Sequence, residues 1–151
     1  MTGAKITMRT TPTAGALAVL ILALSSHNAD AQVGARNVTV GINVSTHKPN
    51  GDAWDAFGGA PDIALCVSSA FGTQCYAAGP RPLASPQGFG RARCQDAFSC
   101  SFTFPVPSTG PFSIVIYDVD VASHDQIGSC VLTPPTAGPC GSAGISASLA
   151  R

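Results

Sequence analysis

The chain has 151 residues, 8 basic and 8 acidic, with only 11% of residues charged and a formal net charge of zero. That balance excludes the basic footprint of a nucleic-acid binder. The length allows one domain around one core. The sequence contains no glutamate, so every acidic residue is an aspartate.

Residues 1–31 read as an export signal. Lys5 and Arg9 give a positive start, "AGALAVLILALSS" is a short apolar run, and Ala29-Asp30-Ala31 forms an A-x-A cleavage pattern. The run is shorter than the roughly 20 residues that a membrane-spanning helix needs. The expectation is a mature chain over 32–151, secreted or periplasmic. It carries six cysteines, which in an oxidising compartment read first as disulfides. Their spacings lack the close pairs of a structural zinc site. Local pairing is expected. Cys66 and Cys75 flank "VSSAFGTQ" as facing positions of a hairpin, Cys94 and Cys100 close a short loop, and Cys130 and Cys140 bracket a proline-rich one.

The mature segment begins with "NVTVGINVST" (37–46), in which Val38, Val40, Ile42 and Val44 alternate with polar residues. This is the two-residue period of a half-buried strand. "WDAFGGAPD" (54–62) follows as a Gly-rich turn. "DIALCVSS" and "TQCYAA" read as a hairpin around Phe71-Gly72, and "GPRPLASPQG" as a Pro/Gly-rich connection. "FGRARC" (89–94) is a weak strand, and "SCSFTFPVP" is a strand stopped by proline. "FSIVIYDVD" (112–120) is β-branched, aromatic and nearly continuous, which points to a central strand. "IGSCVLTP" and "GISASLA" complete the set, and no mature segment has a helical period. Short strands separated by turn signals indicate an all-β fold, an eight-stranded antiparallel β-sandwich.

The aspartates group in the loops. In a strand, Asp118 and Asp120 project to one face about 6–7 Å apart, and Asp125 begins the return after "VASH". Two like charges about 5 Å apart at an effective dielectric near 20 repel by ~3 kcal/mol, which favours a cation among them. Asp55 and Asp62 bracket the Gly-Gly turn between the first two strands. Oxygen-only donors suit calcium, which takes several carboxylate and carbonyl ligands in flexible geometry. Cysteines held in disulfides and only His47 and His124 in the mature segment argue against zinc or copper. The alternative role for each aspartate is turn formation; Asp96, in the loop closed by Cys94 and Cys100, reads as a turn residue, with a metal ligand as its alternative. The sequence lacks the EF-hand loop pattern.

These motifs resemble the C2 domain. "IVIYDVDVASHDQIG" is similar to the strand and third loop of that family, "DAFGGAPDIALCV" to its first loop, and "SFTF" to the strand between them. The likeness runs from about Val38 to Leu132. It implies a sandwich with calcium-binding loops at one end, with Asp55, Asp62, Asp118, Asp120 and Asp125 as metal ligands; Asp52 stands as an alternative to Asp55. The first predicted strand leads straight into the first loop. By the resemblance this implies the permuted topology, whose last strand, "GISASLA", is C-terminal. Ile63-Ala64 stand where the family usually has Pro-Tyr. The resemblance also implies insertion of the loop-tip residues Phe57 and Val121 into a bilayer, with burial against neighbouring loops as the alternative.

The remaining candidates have plainer readings. Trp54 reads as a packing residue, and Arg81, Arg91 and Arg93 as dispersed surface charge. His124 has no evident role. Asn37-Val-Thr39 and Asn43-Val-Ser45 match the glycosylation sequon. No G-x-S-x-G or HExxH motif is present, so no enzyme is expected. The function expected is an exported calcium-binding module that attaches to anionic phospholipid or another anionic surface. The alternative is a structural or adhesive disulfide-stabilised sandwich in which calcium is only structural or absent.

Overall fold

The computed structural model describes residues 34–55, 58–121 and 123–150. The expected signal segment lies outside them. The strands are β1 (Ala35–Val44), β2 (Ile63–Ser69), β3 (Gly72–Tyr76), β4 (Ser99–Pro107), β5 (Phe112–Val119), β6 (His124–Leu132), β7 (Thr136–Cys140) and β8 (Ala143–Leu149). They form two four-stranded antiparallel sheets, ordered β4-β1-β8-β7 and β3-β2-β5-β6. The fold is an eight-stranded antiparallel β-sandwich. Its C-terminal strand β8 pairs on one side with β1 and on the other with β7.

The alternation in the sequence becomes the sandwich interior. Val38, Val40 and Ile42 of β1 and Phe102, Phe104 and Val106 of β4 meet Ile63, Leu65, Ile114 and Ile116 from the opposite sheet in one core. The outward positions of β1 and β4 are small and polar, and Thr39 and Thr103 share a 2.9 Å hydrogen bond there. β2 has no such polar face, because its other side is covered too. The connection over residues 77–98 folds back across it, burying Phe89 and Ala92 against Ala64, Cys66, Cys75 and Val119. A strand covered on both faces needs a near-continuous apolar run, and "IALCV" supplies it.

Two expectations about strands are corrected. "FGRARC" is not a strand. It belongs to the covering connection, and its backbone pairs with the sheet through an isolated bridge between Ile63 and Cys94. Conversely, Thr136–Cys140, read from its prolines as loop, is the edge strand β7. An edge tolerates proline because one side of the strand has no partner to bond.

The three disulfides pair as the spacing suggested: Cys66–Cys75, Cys94–Cys100 and Cys130–Cys140. Cys66 and Cys75 are direct register partners across β2 and β3. Cys130–Cys140 joins β6 to β7, and so ties one sheet to the other.

Candidate metal centre

β5 carries the site. Its core-facing row is Phe112, Ile114, Ile116 and then Asp118, which is 0% exposed. A carboxylate thus sits where alternation would place another apolar residue. Asp118 Oδ1 accepts the backbone N–H of Asp62 at 2.7 Å. Its Oδ2 is buried and has no hydrogen-bond partner. Leaving a buried carboxylate oxygen unpaired is costly. Burial, followed by the nearby charges of Asp120 and Asp55, pushes the Asp118 carboxyl up to about 6 despite the backbone hydrogen bond.

Asp120 lies two residues on, just past the strand end, and its N–H donates to the Ser123 carbonyl at 3.1 Å. Asp55 enters from the loop between β1 and β2, where the Gly58 N–H bonds the Asp55 carbonyl at 3.0 Å. One carboxylate oxygen each from Asp55, Asp118 and Asp120 lies within 4.8 Å of the other two. Burial, then the charge of Asp62, Asp120 and Asp96, raises the Asp55 carboxyl as well. Gly59 makes room for this arrangement. A Cβ there would come within 2.9 Å of Asp55 Oδ2 and 3.2 Å of Asp96 Oδ1.

The other expected ligands are used differently. Asp62 Oδ1 accepts the Asp96 N–H at 2.7 Å, and Asp96 Oδ1 accepts the Ala60 N–H at 2.9 Å. These two carboxylates brace the loops around the triad, and Asp96 has the positive φ (45°) of a turn residue. Asp52 bonds Asn50 at 2.6 Å in a local turn, so the triad takes Asp55 rather than Asp52. Asp125 Oδ2 pairs with Lys48 Nζ at 2.6 Å. It is nevertheless the register partner of Asp118. Val121 is wholly exposed at the loop tip. Phe57 lies outside the described residues.

Lys48 had no signal in the sequence, because its partner is 77 positions away. The loop holds it in place: the Lys48 N–H donates to the Asp52 carbonyl at 2.8 Å, and the Gly51 N–H to the Lys48 carbonyl at 2.9 Å. Trp54 is buried as expected, its Nε1–H bonded to the Ser45 carbonyl at 2.8 Å. The Lys48 ammonium lies 5.6 Å from its ring. A cleft of about 460 Å³ is lined by Lys48, Asp52, Ala53, Trp54, Asp55 and Asp120. His124 packs its ring 5.5 Å from that of Phe89. Arg91 bonds Gln95 and Arg93 lies over Phe102, so both serve local contacts.

Three carboxylate donors, one of them the buried Asp118 with its unpartnered oxygen, could hold a hard cation; sulfur and imidazole donors are absent from the group. No protein-family model and no curated protein matches this chain.

Proposed function

We propose that the protein binds calcium through Asp55, Asp118 and Asp120 and uses the bound ion to attach to anionic phospholipid. The observation that carries this reading is the Asp118 Oδ2 atom, buried without a partner beside two further carboxylates. A divalent ion would satisfy that atom and remove the repulsion among the three. Calcium suits the all-oxygen donor set and the open cleft, which leaves coordination positions for a phosphate oxygen. Val121, exposed next to Asp120, supports a bilayer rather than a soluble anion as the surface approached. The disulfides fit export to an oxidising compartment. Among the described residues no helix is long and apolar enough to cross a membrane.

A second reading is favoured by the cross-links themselves. Three disulfides and the Lys48–Asp125 pair brace the sandwich, as an adhesive or structural module would require. The deciding experiment has two arms: calorimetric titration with calcium, and sedimentation with phosphatidylserine-containing or purely phosphatidylcholine vesicles, with and without chelator. Calcium binding with calcium-dependent sedimentation on the anionic vesicles supports attachment. Calcium binding without sedimentation supports a structural ion. No heat and no calcium-dependent shift in melting temperature rejects both uses of calcium.

A further inference from the structure

Lys48 sits where a metal would compete with it. Its ammonium contacts Asp125 at 2.6 Å, its side chain is 22% exposed, and that of Asp125 is 49% exposed. Asp125 stands opposite Asp118 in the strand register, so the ion pair flanks the triad. Lys48 also lines two clefts at this end of the sandwich, one with Asp55 and Asp120 and the other with Asp125 and Gln126. Its positive charge counteracts the repulsion felt by both Asp118 and Asp55. Reciprocally, Asp125, Asp118 and Asp120 all favour the charged ammonium. The backbone hydrogen bonds of the 48–52 turn hold the base of this side chain, and the pair with Asp125 holds its end.

We propose that Lys48 is a tethered competitor cation: it neutralises the carboxylate cluster of the calcium-free protein, and calcium must displace it from Asp125 to recruit that carboxylate. The proposal rests on the calcium reading above. The exchange needs only the release of one ammonium into water, which solvates it strongly. A partly exposed ion pair is weak, so Lys48 lowers calcium affinity by a modest factor rather than blocking the site. It also keeps the cluster intact when calcium is scarce. One side chain thus shifts the calcium concentration at which the site fills.

The test compares wild type with Lys48→Met, Lys48→Gln and Lys48→Arg. Met keeps an unbranched apolar stem, Gln keeps a polar end, and Arg keeps the charge. Each is titrated with calcium by calorimetry at low ionic strength and melted in chelator. The expected result is calcium binding roughly two- to fivefold tighter in the Met and Gln variants. Their melting temperature in chelator should fall below that of wild type, and Arg should stay near wild type in both measurements. Calcium binding by the neutral variants alone would also support the proposal. Unchanged or weaker binding in both neutral variants, while wild type binds, overturns it and leaves the calcium reading intact. Failure of every variant and of wild type to bind calcium overturns both.

Discussion

Asp118 and Asp125 stand directly opposite each other across β5 and β6, yet one carboxylate is wholly buried and the other is held at the surface by Lys48. Directly opposed residues in an antiparallel pair project to the same side of the sheet. Their alignment depends on a bulge. Ile116 pairs with Gly128 and Tyr117 with Gln126, so Ile127 is the extra residue. It shifts the parity of β6 and brings Asp125 to the core-facing side, while Ile127 itself stays in the core. Bulges re-aim side chains in this way. The acidic end of the sandwich is thus built from the apolar row of β5 and one irregularity in β6.

Calcium should stabilise the protein. At 100 times its dissociation constant, a ligand bound only by the folded state adds ~2.7 kcal/mol, which for a domain of this size raises the melting temperature by roughly 10 °C. Extracellular calcium sites have dissociation constants of ~10⁻⁴–10⁻³ M, so a hundredfold excess means ~10–100 mM calcium, and the comparison is a melt at that concentration against one in chelator. Magnesium should do much less, because it demands octahedral geometry and holds its water. Asp118→Asn combined with Asp120→Asn should abolish the shift and raise the melting temperature in chelator. Equal melts of wild type in both buffers would identify the cluster as turn-forming only.

The pH dependence has a definite sign. Asp118 titrates near 6 in the folded protein against 3.8 in the unfolded chain, so the folded state holds its proton more tightly. This group therefore favours folding most below about pH 4, and that contribution is lost as pH rises through about 6. In chelator, the melting temperature should fall across this window, and Asp118→Asn should flatten the profile. Asp55 acts in the same direction. Calcium binds the deprotonated carboxylates, so its affinity should drop as pH falls below about 6. Calcium titrations at pH 5 and pH 7.5 check this; equal affinities would count against Asp118 as a ligand.

Val121 offers a test of bilayer contact apart from calcium binding. Val121→Ser, alone and with Phe57→Ser, should leave the calcium affinity in solution unchanged. Burial of a valine side chain is worth about 1.5 kcal/mol or more, so vesicle affinity should drop about tenfold per residue inserted. Vesicle sedimentation in calcium measures it, and an unchanged partition would remove the loop tips from the contact.

Gly128 should be intolerant of substitution for a reason unrelated to calcium. A Cβ at this position would run into the Cys140 carbonyl and the Gly141 backbone, where β6 crosses close to the β7–β8 turn. The Ser142 N–H also bonds the Ile127 carbonyl here, at 2.9 Å. Overpacking against rigid backbone costs about 1–3 kcal/mol or more. Gly128→Ala should lower the denaturation midpoint accordingly, with the slope unchanged. Gly138→Ala, where a Cβ meets nothing within 4 Å, is the control.

Much of the architecture was legible in the residues. Period-two alternation in β1 marked the core face because a strand places successive side chains on opposite sides. The continuous apolar run of β5 marked an inner strand, and it lies between β2 and β6. The cysteine spacing was enough to pair all six, because each pair closes a short loop. What misled was composition without context. "FGRARC" had strand-like residues but lies over a sheet face rather than within a sheet, and the prolines around Thr136–Cys140 concealed an edge strand.

The sequence by itself determined that aspartates flank two loops, and that Asp118 and Asp120 share a face; local periodicity is sufficient for both. Only the tertiary structure decided which carboxylates meet. Asp55 joins Asp118 and Asp120 across the sandwich end, whereas Asp62 braces the Asp96 backbone and Asp125 pairs with Lys48. Such choices depend on contacts between residues far apart in the chain, on a bulge that inverts the parity of β6, and on the burial that leaves Asp118 Oδ2 without a partner. Local sequence pattern carries no record of these relationships, because each arises when the two sheets close on one another.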